Sequence, residues 1–204
     1  MDPLLAAGRL PRLAQRSMRD AVCARLVVPG RAPARRLIDS ALLRMERALE
    51  RCGPASALAP LVFAERNRVV REMETFLTSR LAARLFALAP GRVVAGAHAA
   101  PFDAIVGGRA GALYGIVMRR LEANASRLQT YQRVRTAAAA YDRVIAAVVV
   151  YDWSSGATRV VSAARRGDRL REAGAKRHDR DLRARRKMQF GENMRDVILD
   201  GLVA

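Results

Sequence analysis

Between residues 92 and 121 the sequence RVVAGAHAAPFDAIVGGRAGALYGIVMRRL places three short apolar runs in quick succession, broken only by proline or glycine. Runs of this length with turn residues between them read as adjacent strands, not as a helix. They cover Val93 to Ala97, Phe102 to Val106 and Leu113 to Met118, and Gly107, Gly108 and Gly111 mark a hairpin between the second and third. Asp103 then falls on a strand, where aspartate is disfavoured and a lone buried carboxylate costs several kcal/mol. Two readings of it are open. Asp103 is a ligand for a metal, or it caps the turn after Pro101 or pairs with Arg119 on the next strand.

The flanks give an order of elements. A helix is predicted from about Leu61 to Leu88, because Leu61, Val69, Met73, Phe76, Leu77, Leu81 and Leu85 recur mostly at three- and four-residue steps. A second helix is predicted from about Ser126 to Tyr141, with Ser126 as N-cap and Leu128, Tyr131, Val134 and Ala138 on one stripe. Residues 144 to 151, VIAAVVVY, form an unbroken apolar run, which fits a strand covered on both faces. The reading is helix, three strands, helix, strand.

That order, with Asp103 on the second strand, resembles the PD-(D/E)XK nuclease superfamily, the restriction-endonuclease-like fold, over roughly residues 61 to 163. Phe102-Asp103-Ala104-Ile105-Val106 is similar to the strand carrying the family's first metal-binding aspartate. Leu113-Tyr114-Gly115-Ile116-Val117-Met118-Arg119 is similar to the strand that carries its Glu-x-Lys, and Leu128 to Tyr131 and Ala140 to Val144 resemble the RecB-like branch. The resemblance implies an α/β fold, an αβββαβ core with a mixed sheet. It also implies a site in which two carboxylates hold magnesium on the scissile phosphate while a lysine steadies charge. The aligned positions here are Val117 and Arg119. Valine cannot ligate a metal, and arginine stays protonated, although its planar fork can hold a phosphate oxygen. The motif is therefore degenerate. An active site on this scaffold would use Asp103 and Arg119 with a migrated acid, Glu72 or Glu65 on the preceding helix or Glu122 past the third strand; otherwise these glutamates pair with arginines on a helix face.

The charge points to polyanions. With 37 basic and 19 acidic residues the formal charge is +18, a balance that attracts phosphate backbones through counterion release. Only Lys176 and Lys187 are lysines, so the positive charge is almost all guanidinium. Arg119, Arg120, Arg127, Arg133, Arg135 and Arg143 cluster around the second predicted helix. The segment from Arg165 to Lys187 adds Arg165, Arg166, Arg169, Lys176, Arg177, Arg183, Arg185, Arg186 and Lys187 among its basic residues. This tail is read as largely helical, either tracking a phosphate backbone or carrying internal ion pairs through Asp168, Glu172, Asp179 and Asp181.

Three regions follow: 1–60 as an N-terminal helical region, 61–163 as the nuclease-like core and 164–204 as the basic tail. The first contains two amphipathic stretches, about Leu4 to Val27 and Pro33 to Cys52, parted by Pro29-Gly30, which either pack on the core or offer a surface for a protein partner. Cys23 and Cys52 form neither a disulfide framework nor a zinc pattern and read as buried thiols. His98 beside Asp103 falls short of a metal ligand set. The tyrosines and Trp153 sit at apolar positions suited to a core, with a turn after Trp153 that leaves room for partial exposure. No apolar run spans a bilayer and no secretory signal pattern is present, so a cytoplasmic, non-membrane protein is expected. The leading functional expectation is a DNA-binding protein with an inactive nuclease-like site, DNA being favoured over RNA. The alternatives are an active magnesium-dependent DNA nuclease and a basic RNA-associated or scaffold protein. The resemblance also allows a homodimer.

Overall fold

The structure is a computed structural model, and it describes residues 3–27, 34–51, 59–88, 91–108, 111–121, 124–141 and 144–162. Helices α1 (Pro3–Val27), α2 (Ala34–Glu50), α3 (Ala59–Leu77) and α4 (Arg80–Phe86) precede strands β1 (Val93–Ala95), β2 (Ala104–Gly107) and β3 (Leu113–Arg119). Helix α5 (Asn124–Ala140) and strands β4 (Ile145–Asp152) and β5 (Thr158–Ser162) follow. The five strands form one mixed sheet in the order β1-β2-β3-β4-β5. β3 and β4 run parallel, joined across α5, and the remaining neighbours are antiparallel.

Side chains alternate across this sheet as strand geometry demands. Ala104, Val106, Ile116, Met118, Ala147, Val149, Tyr151 and Trp153 join buried residues of α1 to α4 in one core. Ile105, Val117, Val148 and Val150 face the other way and meet Val134 and Ala138 of α5. Both faces of β4 are therefore covered, which is why it has no polar alternation. On α1 the core stripe is Leu10, Ala14, Met18, Ala21 and Val22, and on α2 it is Leu37, Ala41, Met45 and Leu49, all at three- or four-residue steps. These two helices share the core of the sheet.

The structure adjusts several sequence boundaries. The helix expected over 61 to 88 is two helices, broken at Thr78-Ser79, where Ser79 caps α4 by accepting from the Ala82 N–H at 3.1 Å. β1 ends at Ala95 because Gly96 takes φ +71° and opens a 3-10 turn, Gly96–Ala99, which carries His98. Asp103 lies one residue before β2, yet its N–H still donates to Ile116 O at 2.9 Å and its C=O accepts from Gly96 N at 3.0 Å. α5 begins at Asn124, so Ser126 lies inside the helix and is not its cap. Strand β5 was not anticipated, its five residues being too short and mixed to stand out. Trp153 is 1% exposed, its ring packed against Phe76 and Tyr151, so the expected partial exposure is not found. The expected tail, residues 164–204, lies outside the described residues, as do Cys52, Glu122 and Arg143.

Candidate nucleic-acid interface at one end of the sheet

The amino end of β2 and the carboxyl ends of the parallel strands β3 and β4 lie at the same end of the sheet, the side where open α/β sheets place their ligands. The four buried carboxylates among the described residues, Glu65, Glu72, Asp103 and Asp152, stand on or beside elements that meet there. Each is matched by protein donors, as a buried charge must be.

Asp103 is held by two arginines. Its Oδ2 accepts from the Met118 N–H and from Arg119 Nη1, both at 2.7 Å, and Arg19 Nη1 on α1 lies 3.4 Å from Oδ1. Of the two readings open for this residue, the pairing with Arg119 is found. The carboxylate is 3% exposed, whereas the Arg19 and Arg119 side chains are 28% and 29% exposed; Arg19 also donates through Nε and Nη2 to Asp20 Oδ1, and Arg119 Nη1 to the Met118 carbonyl. Cys23, also on α1, donates Sγ–H to the Asp103 carbonyl at 3.3 Å. Burial, and then the negative charge of Asp103, pushes the Cys23 thiol up to about 11, so it stays protonated and inert at neutral pH.

Arg120, the residue after β3, has a separate set of partners. Its Nε donates to Glu72 Oε2 at 2.9 Å and its Nη1 to Glu65; Nη2 lies 2.7 Å from Glu72 Oε2 but off the hydrogen-bonding direction. Arg68 Nε donates to the other Glu72 oxygen at 2.9 Å. The Arg120 backbone N–H donates to Gln15 Oε1 at 2.9 Å, so the cluster ties α1, α3 and β3 together. With its side chain 5% exposed, Arg120 is committed to the fold and presents nothing to a phosphate. Glu72 and Glu65, the acids considered as migrated metal ligands, have their charge neutralised in the same cluster.

Asp152 closes the third group. Its Oδ1 accepts from Leu121 N, Ser154 N and Ser154 Oγ, and its Oδ2 from Ser155 Oγ. Burial pushes its carboxyl up, but these hydrogen bonds outweigh burial and hold it below the ordinary value. A cavity of about 310 Å³ adjoins this turn, lined by Arg68, Arg71, Glu72, Thr75, Trp153 and residues 154–156.

The magnesium implied by the resemblance does not fit this donor set. Val117, at the position of the family's glutamate, is 2% exposed in the α5-side core, and both oxygens of Asp103 face guanidinium groups. Among the described residues no three His, Cys, Asp or Glu side chains are grouped to hold a metal ion. The remaining basic positions are dispersed. Arg133 and Arg135 are exposed on α5, across the sheet from α1. The Arg127 side chain lies outside the described set, and so do Arg165, Arg166, Arg169, Lys176, Arg177, Arg183, Arg185, Arg186 and Lys187. Sequence reading missed Arg19, because no local pattern links a helix arginine to an acid so distant in the chain. It also missed the Asp152 turn, although an aspartate two residues before a serine is a recognisable Asx-turn pattern. Among the described residues no helix is long and apolar enough to cross a membrane. Comparison with protein-family models, curated proteins and solved structures finds no match to this chain.

Proposed function

We propose that this chain binds DNA through its phosphate backbone, on a restriction-endonuclease-like core whose hydrolytic site has been replaced by arginines. The observation that carries the reading is the Asp103 cluster: two guanidinium groups stand on the one acid that the family would give to a metal. Arg19 and Arg119 supply fixed positive charge on partly exposed side chains, a chemistry suited to phosphate oxygens. Neither arginine can activate water as a base. The +18 formal charge supports a polyanionic partner, and the helix, three strands, helix, strand order supports the fold assignment.

Purified protein incubated with labelled duplex and single-stranded DNA, with magnesium or manganese present, tests this. Retained complexes and intact strands are expected, with weaker retention by Arg119→Gln. Products that depend on Asp103 would replace the reading with that of an active nuclease. Preferential displacement by RNA would replace it with RNA association.

A further inference from the structure

Helix α1 carries more than the single arginine that reaches Asp103. Arg9, Arg12, Arg16 and Arg19 follow one another at steps of three, four and three residues. At about 100° per residue they fall within roughly 80° of arc, on the side of the helix away from its core stripe. Arg9, Arg12 and Arg16 are exposed, Arg16 with 72% of its side chain in solvent, and Arg19 is the innermost member, reaching Asp103. Among the described residues neither Arg9 nor Arg12 has an ion-pair partner. The acid paired with this row, besides Asp103, is Asp20, which lies 3.6 Å from Arg16 and 3.1 Å from Arg19. Surface pairs of that kind are worth at most about 1 kcal/mol and yield readily to a phosphate.

We propose that this row is a backbone track, along which one strand of DNA lies so that successive phosphates meet Arg16, Arg12 and Arg9 outward from the Arg19–Asp103–Arg119 cluster. The inference rests on the DNA-binding reading and gives it a direction and a length. Ten residues of helix rise about 15 Å. Steps of three or four residues rise about 4.5–6 Å, so the row can meet successive phosphates of one strand one arginine at a time. The packing leaves the track open: Pro11 O and Gln15 Oε1, on the adjacent face, are taken by Arg120, and Leu10, Ala14 and Met18 are in the core. The arginine face is what remains.

The experiment measures affinity for duplex and single-stranded DNA across a salt series, for the wild-type chain and for the triple variant Arg9→Gln, Arg12→Gln, Arg16→Gln. Removing three phosphate contacts should flatten the slope of log affinity against log salt by about 3 on duplex and about 2 on single strands. The corresponding triple lysine variant, which keeps the charge, should restore most of the slope. Asp20→Asn, which removes the competing acid, should raise affinity severalfold at low salt, and it decides the matter if the glutamine variant does not fold. Wild-type chain that binds DNA, together with an unchanged slope in the folded glutamine variant or no gain in Asp20→Asn, would overturn the track while leaving the DNA-binding reading intact. Wild-type chain that fails to bind DNA removes both.

Discussion

Arg119 and Arg120 are neighbours of identical chemistry whose roles diverge with their partners, Asp103 for the first and Glu65 and Glu72 for the second. Arg120 neutralises two buried glutamates, and Arg120→Ala would leave both without their main partner. We expect a loss of about 3–5 kcal/mol, seen as a large drop in melting temperature. Arg119→Gln removes one charged hydrogen bond from Asp103 while Arg19 and the Met118 N–H remain. A smaller loss of about 1–2 kcal/mol is expected, with a clear fall in DNA affinity. Equal destabilisation by the two changes would contradict this division. Asp152 supplies a pH test. Its carboxyl is held below the ordinary value of 3.8, so its contribution to stability is present above that value and is lost as pH falls through the lower, folded-state value. Urea midpoints measured at pH 5 and pH 3 should differ less in Asp152→Asn than in the parent chain, and an unchanged difference would count against the hydrogen-bonded turn.

At the scale of elements, the position of Asp103 depends on how β2 meets β3. Phe102 lies flat over Gly115, where an added Cβ would come within 2.7 Å of Phe102 Cδ1. Gly115→Ala should therefore cost about 1–3 kcal/mol as an overpacked site and, by displacing the residue next to Asp103, should also weaken DNA binding. Full stability in this variant, measured by chemical denaturation, would show that the ring is free to move. The strands and helices that hold the site were legible in the sequence because their apolar periodicities are strong: α1, α2, β3 and β4 lie within a residue or two of expectation. What was not legible was set by tertiary contact. Neither the pairing of Arg19 with Asp103, 84 positions apart in the numbering of the chain, nor the burial of Arg120 between Glu65 and Glu72 leaves a local pattern. The break at Ser79 was visible in principle as a capping serine, but the apolar stripe continues through it and masks the interruption.

For the whole molecule, the sequence indicated a basic chain of mixed helices and strands with an isolated acid, Asp103, next to a hairpin. The fold adds that α1 is part of the same core and brings its arginines to that acid. The Asp103 carboxylate is thereby neutralised by Arg19 and Arg119 and is not left to attract a dication. This also explains how Asp103 can be buried at all, since two guanidinium groups and a backbone N–H replace its hydration. Titration of manganese into the DNA-free protein, followed by the electron paramagnetic resonance of the free ion, tests that claim most directly. The account predicts no stoichiometric uptake, with the same free-ion signal for the parent chain and for Asp103→Ala. Loss of one equivalent of free manganese per chain, reversed in Asp103→Ala, would contradict it.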